Sequence, residues 1–517
     1  MRYTGLLALI VAGVRAVAEP LLAQTNSPAP LPWRLTQVLP GPSAFAITTQ
    51  VNVDAAGKNI PGDAANEPSL CVDPTNPERM AAGWRQFDSV TSDARQAGWA
   101  YSTNGGLNWT FPGVLETNVF RSDPVLATDP TGRFYYLSVQ QLPFRSDLWT
   151  STDGGVAWER VGPALGGDKP WIVVDTTSSS GRGNMYQSWS PVENTYGDRI
   201  FSRSTDGGRS WSDPISIPGE PFWGTLDVDA RGWLYLVGWS GSSFWVNRST
   251  NAPDPNATVK FDLTRQVNLG GGAAFGIPAL NPEGLIGQPW IAVDRSVPAG
   301  GNVYVLCSVL TPDNQVHVMF SRTLDAGQTW SPAQRLNDDL ANTNAAHWFG
   351  TLAVAPNRVD ACWYDTRNSP ASSSSELFYA NSYDGGVTWS PNSAISAPFN
   401  HTLGYPVQRK IGDYIAMVSL EDRVYISYAA TFNQEEDIFF RRIDFPMITM
   451  ARAANGVLTL SWKAAPGAAD VVQFTDSLNE PWSPLPGPIV ANGLTLSIQD
   501  PSAAASPHRF YRIVRQL

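Results

Sequence analysis

Cysteine is scarce. The 517 residues hold three, Cys71, Cys307 and Cys362, each inside an apolar, strand-like run. An odd, scattered set gives no disulfide framework and reads as buried free thiols. The four histidines show no metal-ligand spacing, so no metal site and no cofactor are expected. Charge is sparse too. Only 16% of residues are charged, the net charge is −11, and no basic stripe is visible, which argues against a nucleic-acid partner. Past the N-terminus no apolar run is long enough to span a bilayer. Nucleophile-elbow, P-loop and H-E-x-x-H patterns are all missing.

What the chain does have is 44 glycines, 41 prolines and 11% aromatics, spread along its length. That composition predicts many short strands and many turns, an all-β fold. The start reads Met1-Arg2, an apolar run from Leu6 to Val14, then Ala16-Val17-Ala18. A secretory signal over 1–24 is expected, with a secreted or periplasmic mature protein.

One nonamer recurs. "STDGGRSWS" at 204 returns as "STNGGLNWT" at 102, "STDGGVAWE" at 151, "TLDAGQTWS" at 323 and "SYDGGVTWS" at 382. The long gap between 204 and 323 hides a degenerate copy, "STNAPDPNATVKF", at 249–261. An apolar strand, often opened by proline, precedes each copy: "EPSLCVD" at 67, "DPVLATD" at 123, "KPWIVVD" at 169, "QPWIAVD" at 288. Two more strands and the nonamer follow, and a fourth strand starts at its Trp. Four antiparallel strands per repeat predict a β-propeller over 30–446, with seven blades counted and six possible. The last repeat lacks its fourth strand. Residues 33–41, "WRLTQVLPG", resemble one and are expected to close the ring. Within the nonamer the Asp is expected to accept backbone amides of its own turn, the Gly at the fifth position to take positive φ, and the Trp to fill space between strands.

The nonamers match the Asp-box, or bacterial neuraminidase repeat, so the chain resembles the sialidase-like superfamily of propellers. The resemblance implies a glycoside hydrolase of exo-alpha-sialidase type acting on acidic or sialylated glycans. Such enzymes clamp a carboxylate with arginines and use a Tyr nucleophile activated by Glu, with an Asp as acid/base. The family's Arg-Ile-Pro motif has Asn66-Glu67-Pro68 in its place here, while Gly276-Ile277-Pro278 imitates it elsewhere. A non-catalytic glycan- or protein-binding propeller, and a polysaccharide lyase on the same scaffold, therefore stay open.

Chemistry is expected where inner strands begin and second-to-third-strand loops emerge. Tyr414 stands roughly where the family nucleophile lies, with Glu67 or Glu193 as its base; Asp88 and Asp123 are the remaining catalytic candidates. Arg85, Arg121, Arg367, Arg409, Asp168, Lys169, His347 and Asp365 are the candidates for holding an acidic sugar. After about residue 446 the rhythm stops. Alternating strands with Asn-Gly and Pro-Gly turns over 447–517 resemble a fibronectin-III-like β-sandwich, with Trp462, Trp482 and Phe474 as core.

Overall fold

Each repeat alternates short β-rich runs with Gly, Asp and Asn turns, so each closes into an antiparallel meander. In the computed structural model, residues 47–516 are described apart from 94, 341–343, 370–372, 406–407, 446–448, 453–456, 464–468, 478–480, 487–488, 491–494 and 504–508. No α-helix occurs among the described residues, and no helix is long and apolar enough to cross a membrane. Among the described residues between 47 and 444, consecutive meanders form six four-stranded sheets and one of five strands. The first sheet comprises Ala64–Val72, Met80–Phe87, Gln96–Ser102 and Thr110–Val114. The first strands of the next six are Ser122–Thr128, Trp171–Val174, Leu226–Val228, Trp290–Val293, His347–Ala355 and Ala416–Leu420. Each packs on the next, and the last packs on the first. The circuit of first strands is consistent with a β-propeller. The signal segment 1–24 and the 33–41 strand lie outside the described residues. The outer edge of the seventh sheet is taken by Ile47–Gln50, paired antiparallel with Asp437–Asp444.

The recurrent nonamer proves to be a joint between sheets. In the copy at 204, the Ser204 hydroxyl donates to Asp206 Oδ1 at 2.9 Å, the Gly208 amide donates to Ser204 Oγ at 2.9 Å, and the Ser210 amide donates to Asp206 Oδ1 at 2.9 Å. Asn104, Asp153, Asp325 and Asp384 each accept the amide four residues on. The degenerate copy keeps its opening, with Ser249 Oγ donating to Asn251 Oδ1 at 3.0 Å. The aromatic reaches back to the preceding sheet. Trp109 meets Phe440, Trp389 meets Phe320, and in the degenerate copy Phe261 meets Phe201, all edge-on at 5.1–5.3 Å. Buried clusters accordingly straddle consecutive sheets, as where Val237 and Val246 pack with Ile291 and Val305.

Gly106 carries this joint twice over. Its φ is +81°, and a Cβ there would lie 2.0 Å from the Phe440 ring. Gly106→Ala should therefore cost about 2–4 kcal/mol, combining a strained backbone with overpacking. Gly57→Ala, at φ +72° with nothing within 4 Å, should cost only the backbone share, about 1 kcal/mol. Paired urea melts check the difference.

All three cysteines are free and buried, and burial pushes their thiols up. Among the described residues beyond 446 lie two further sheets. One joins Thr449–Arg452, Leu458–Lys463 and Thr495–Asp500; the other is built on Ala469–Thr475 and Phe510–Gln516. Leu460, Trp462, Val472 and Tyr511 share their core, and Phe474 packs against it.

Candidate functional site

Three first strands open with the same irregularity. Glu67, Asp123 and Lys169 have φ of +54°, +49° and +49°, and each precedes a proline. A left-handed, non-glycine residue before proline is doubly disfavoured, at a cost of order ~1–3 kcal/mol. The ladder slips at the first two, between Asn66 and Ser69 and between Ser122 and Val125. Proline cannot donate to the ladder, so the strand enters through a bulge, and the bulge re-aims the residue before it.

The result is a buried ionic network. Glu67 is fully buried between Arg85 Nε at 3.1 Å and Lys410 Nζ at 2.9 Å. Asp413, also fully buried, receives both Lys410 Nζ and Lys169 Nζ at 2.5 Å. Lys169 Nζ stands 3.6 Å from Asp123, and its amide donates to Asp123 Oδ2 at 3.0 Å. Asn66 links outward, accepting from Arg85 Nε at 2.8 Å and donating to Glu436 Oε2 at 2.9 Å.

Burial and charge set different protonation states within this cluster. Burial alone would raise Asp413, but Lys169 and Lys410 hold it well below the carboxylate range. Burial is likewise overcome at Asp123, where Lys169 brings the carboxyl down to about 2. At Asp168 burial wins, and the group rises to about 7 against the pull of Lys169. Burial also carries the Glu436 carboxyl well above its usual range.

A cavity of about 110 Å³ opens beside the network. Arg85, Asp123, Asp168, Lys169, Gln408 and Lys410 wall it, and Arg95, Phe120, Ser122, Phe144 and Glu193 complete the lining. Arg85 Nη2 and Arg95 Nε are buried donors with no hydrogen-bond partner among the described residues. Two cationic side chains thus carry spare donors beside a concave, aromatic-edged space.

An insertion reaches the entry of the seventh sheet. Between the fourth and fifth sheets the chain forms a hairpin, Phe275–Ile277 against Asn281–Leu285. It bonds to the entry of the seventh sheet. Asn281 accepts from Ile411 N at 3.1 Å and donates to Gly412 O at 2.8 Å. Leu285 N donates to Asp413 Oδ1 at 2.8 Å. The Gly276-Ile277-Pro278 segment belongs to this hairpin, away from the cavity lining.

The structure brings Glu67, Arg85, Asp123, Asp168 and Lys169 together. It puts the other candidates to different uses. Tyr414 is 3% exposed, its hydroxyl donates to Pro124 O at 3.1 Å, and its ring meets Trp171 edge-on. Burial holds that hydroxyl well above its ordinary value, so neither access nor ionisation suits a nucleophile. Glu67 is committed to Arg85 and Lys410 and is no free base. Asp88 is exposed and accepts from Gln96 at 3.0 Å. Arg121 pairs with Glu116 and Asp147 under the Trp149 ring. Arg409 pairs with Glu283 on the surface. Arg367, Asp365 and His347 form a separate sixth-sheet cluster. Arg367 bonds Asp365 and Asp338, and fully buried His347 bonds the Val316 carbonyl at 2.8 Å, with its Nε2 standing 3.1 Å from Asp339. Arg95, Phe120, Phe144 and Gln408 were not legible as site residues; Arg95 and Gln408 lie in loops, and only the fold brings them to the cavity.

Tyr414→Phe should lose about 1 kcal/mol of stability, the worth of one hydrogen bond, and leave ligand handling unchanged. Thermal melts and a binding titration on the variant check both parts.

No family model matches the chain, and no curated protein matches it. Solved structures similar to it include a protein of unknown function from Dyadobacter fermentans DSM 18053, at 12% identity and TM-score 0.46, covering 78% of this chain and 100% of that one. YCF48 bound to D1 peptide is similar at 13% identity and TM-score 0.43, over 79% of this chain and 97% of that one. The phage phi92 endosialidase is similar at 10% identity and TM-score 0.45, over 81% and 74%.

Proposed function

We propose that the chain is an exported, seven-bladed propeller that hydrolyses an acidic glycan in the cavity beside Lys169, with 447–517 as a fibronectin-III-like accessory module. One observation carries the reading. Two of the three carboxyls lining one cavity have protonation states pushed far apart, Asp123 down to about 2 and Asp168 up to about 7. That separation is what acid/base division of labour in glycoside hydrolysis needs. Asp168, protonated near neutrality, gives its proton to the glycosidic oxygen as that bond breaks. Asp123 keeps its charge. Its oxygens already accept Ser122 Oγ at 2.7 Å and the Lys169 amide, which suits it to stabilising an oxocarbenium-like transition state rather than attacking. Glu193, exposed on the rim, takes the proton from the water that adds to the anomeric carbon. The spare donors of Arg85 and Arg95 face the sugar's acidic group.

This departs from the exo-alpha-sialidase reading in its nucleophile, because the Tyr414 hydroxyl is sealed and occupied. Binding without turnover is the second reading. Its support is that the network's three cations, Arg85, Lys169 and Lys410, already pair with Glu67, Asp123 and Asp413. The deciding experiment is a panel of fluorogenic sialosides and uronides run at pH 5–9, with calorimetric binding of the matching oligosaccharides. Turnover lost in Asp168→Asn supports hydrolysis. Binding lost in Arg85→Met without turnover in the parent protein supports the second reading. Neither binding nor turnover removes both.

A further inference from the structure

Where the ring closes, three carboxyl groups converge. Asp63 lies just ahead of the first strand of the first sheet. Glu435 lies in the last loop of the seventh sheet, and Asp437 opens that sheet's third strand. Each offers one oxygen, and these oxygens lie within 4.8 Å of one another. Ca2+ binds oxygens at ~2.3–2.6 Å, so its coordination shell spans roughly 5 Å. The spacing fits one cation held by all three.

A second observation points the same way. Asp63 is 6% exposed, yet its Oδ1 has no hydrogen-bond partner among the described residues. The groups around the cluster are neutral. Asn52 and Gln86 amides donate to Asp63 Oδ2 at 3.3 and 2.8 Å. Asn52 and Asn433 amides donate to Asp437, both at 2.8 Å. Asn59 Nδ2 and Gly62 N donate to Glu435, both at 2.6 Å. Among the described residues no Lys, Arg or His forms an ion pair with any of the three. A buried carboxyl cluster without a cation is costly in its charged form, and a hard divalent cation would relieve it.

We infer that Asp63, Glu435 and Asp437 form a Ca2+ site that clasps the first sheet to the last. Donors that are all oxygen favour a hard cation over Zn2+ or Cu2+. The clasp also adjoins the cavity. Glu436, between two ligands, accepts from Asn66, which in turn holds Arg85.

The full chain, stripped with EGTA at pH 7.5, is melted with and without 5 mM Ca2+, and Ca2+ binding is titrated calorimetrically. The expected result is a rise in the midpoint of a few degrees, since a ligand that binds only the folded state stabilises it by mass action. Binding of one Ca2+ per chain should be lost in Glu435→Gln and Asp437→Asn and kept in Asp213→Asn, a change at an exposed carboxyl. Glu435 is on a loop, so its variant tests the site even if Asp437→Asn folds poorly. No rise with Ca2+, or the same rise in Glu435→Gln, overturns the inference. So does a midpoint that climbs on acidification alone and ignores Ca2+, which would mean the carboxyls are simply protonated.

Discussion

Asp168→Asn is expected to lower kcat by about 10²–10⁴, the usual worth of a positioned general acid. The substitution keeps the shape and loses the proton. In the parent protein the rate should fall as pH rises through about 7, because the acid must be protonated to act. Toward acid no loss from Asp123 is expected until about pH 2, where that carboxylate would finally protonate. The same substitution separates function from stability. Asp168 is raised above its ordinary 3.8, so its contribution is full below that value and is lost as pH rises to about 7. Above pH 7 the folded parent carries a half-buried charge that the amide variant lacks. Asp168→Asn should then melt higher than the parent at pH 8 while turning over far less substrate. A variant that is both inactive and less stable would mean a structural role instead.

The largest stability effect is expected from Asp413→Ala. Two ammonium groups, buried Lys410 and partly exposed Lys169, meet on this one carboxylate, and the Leu285 amide donates to its other oxygen. Removing the anion leaves Lys410 with Glu67 alone and Lys169 with Asp123 alone, the latter at 3.6 Å, and breaking such a buried network typically costs about 3–5 kcal/mol. Asp413→Asn should recover little of this, since it restores the acceptor for Leu285 but not the charge. The pH dependence has the opposite sign to that of Asp168. A depressed carboxylate contributes fully above its unfolded value near 3.8 and is lost as pH falls through its lower folded value. Urea melts between pH 4 and 8 should show the Asp413→Ala deficit almost constant. A deficit under about 1 kcal/mol, the scale of an exposed pair, would show that the two lysines find other partners.

The repeat was legible in the sequence because one supersecondary unit recurs with its turn chemistry intact, from Ser102 to Trp389. Glu67, Asp123 and Lys169 were legible for a related reason. Each precedes the proline that opens a first strand, so each holds the same place in its repeat. Which way a residue turns at the entry to a strand was harder to read. Asp413 joins the ionic network, while Tyr414, one residue on, turns to Pro124. In a strand a single step exchanges faces, and the bulges at strand entry shift that count. Arg121 and Asp123 divide similarly, the first to Trp149 and the second to Lys169. Long-range partners such as Arg95 and Gln408 depend on loop paths that no local pattern encodes.

The hairpin at 275–285 has a further consequence. A ring of like sheets offers equivalent addresses, and a side chain that works at one rim position would work as well at the next. An insertion after the fourth sheet that reaches the seventh abolishes that equivalence. The mutational tolerance of corresponding rim residues should differ sheet by sheet, with the second and third sheets intolerant at strand entry and the fourth permissive. Duplicated units can thus share one folding grammar while a single inserted segment decides which of them is free to specialise.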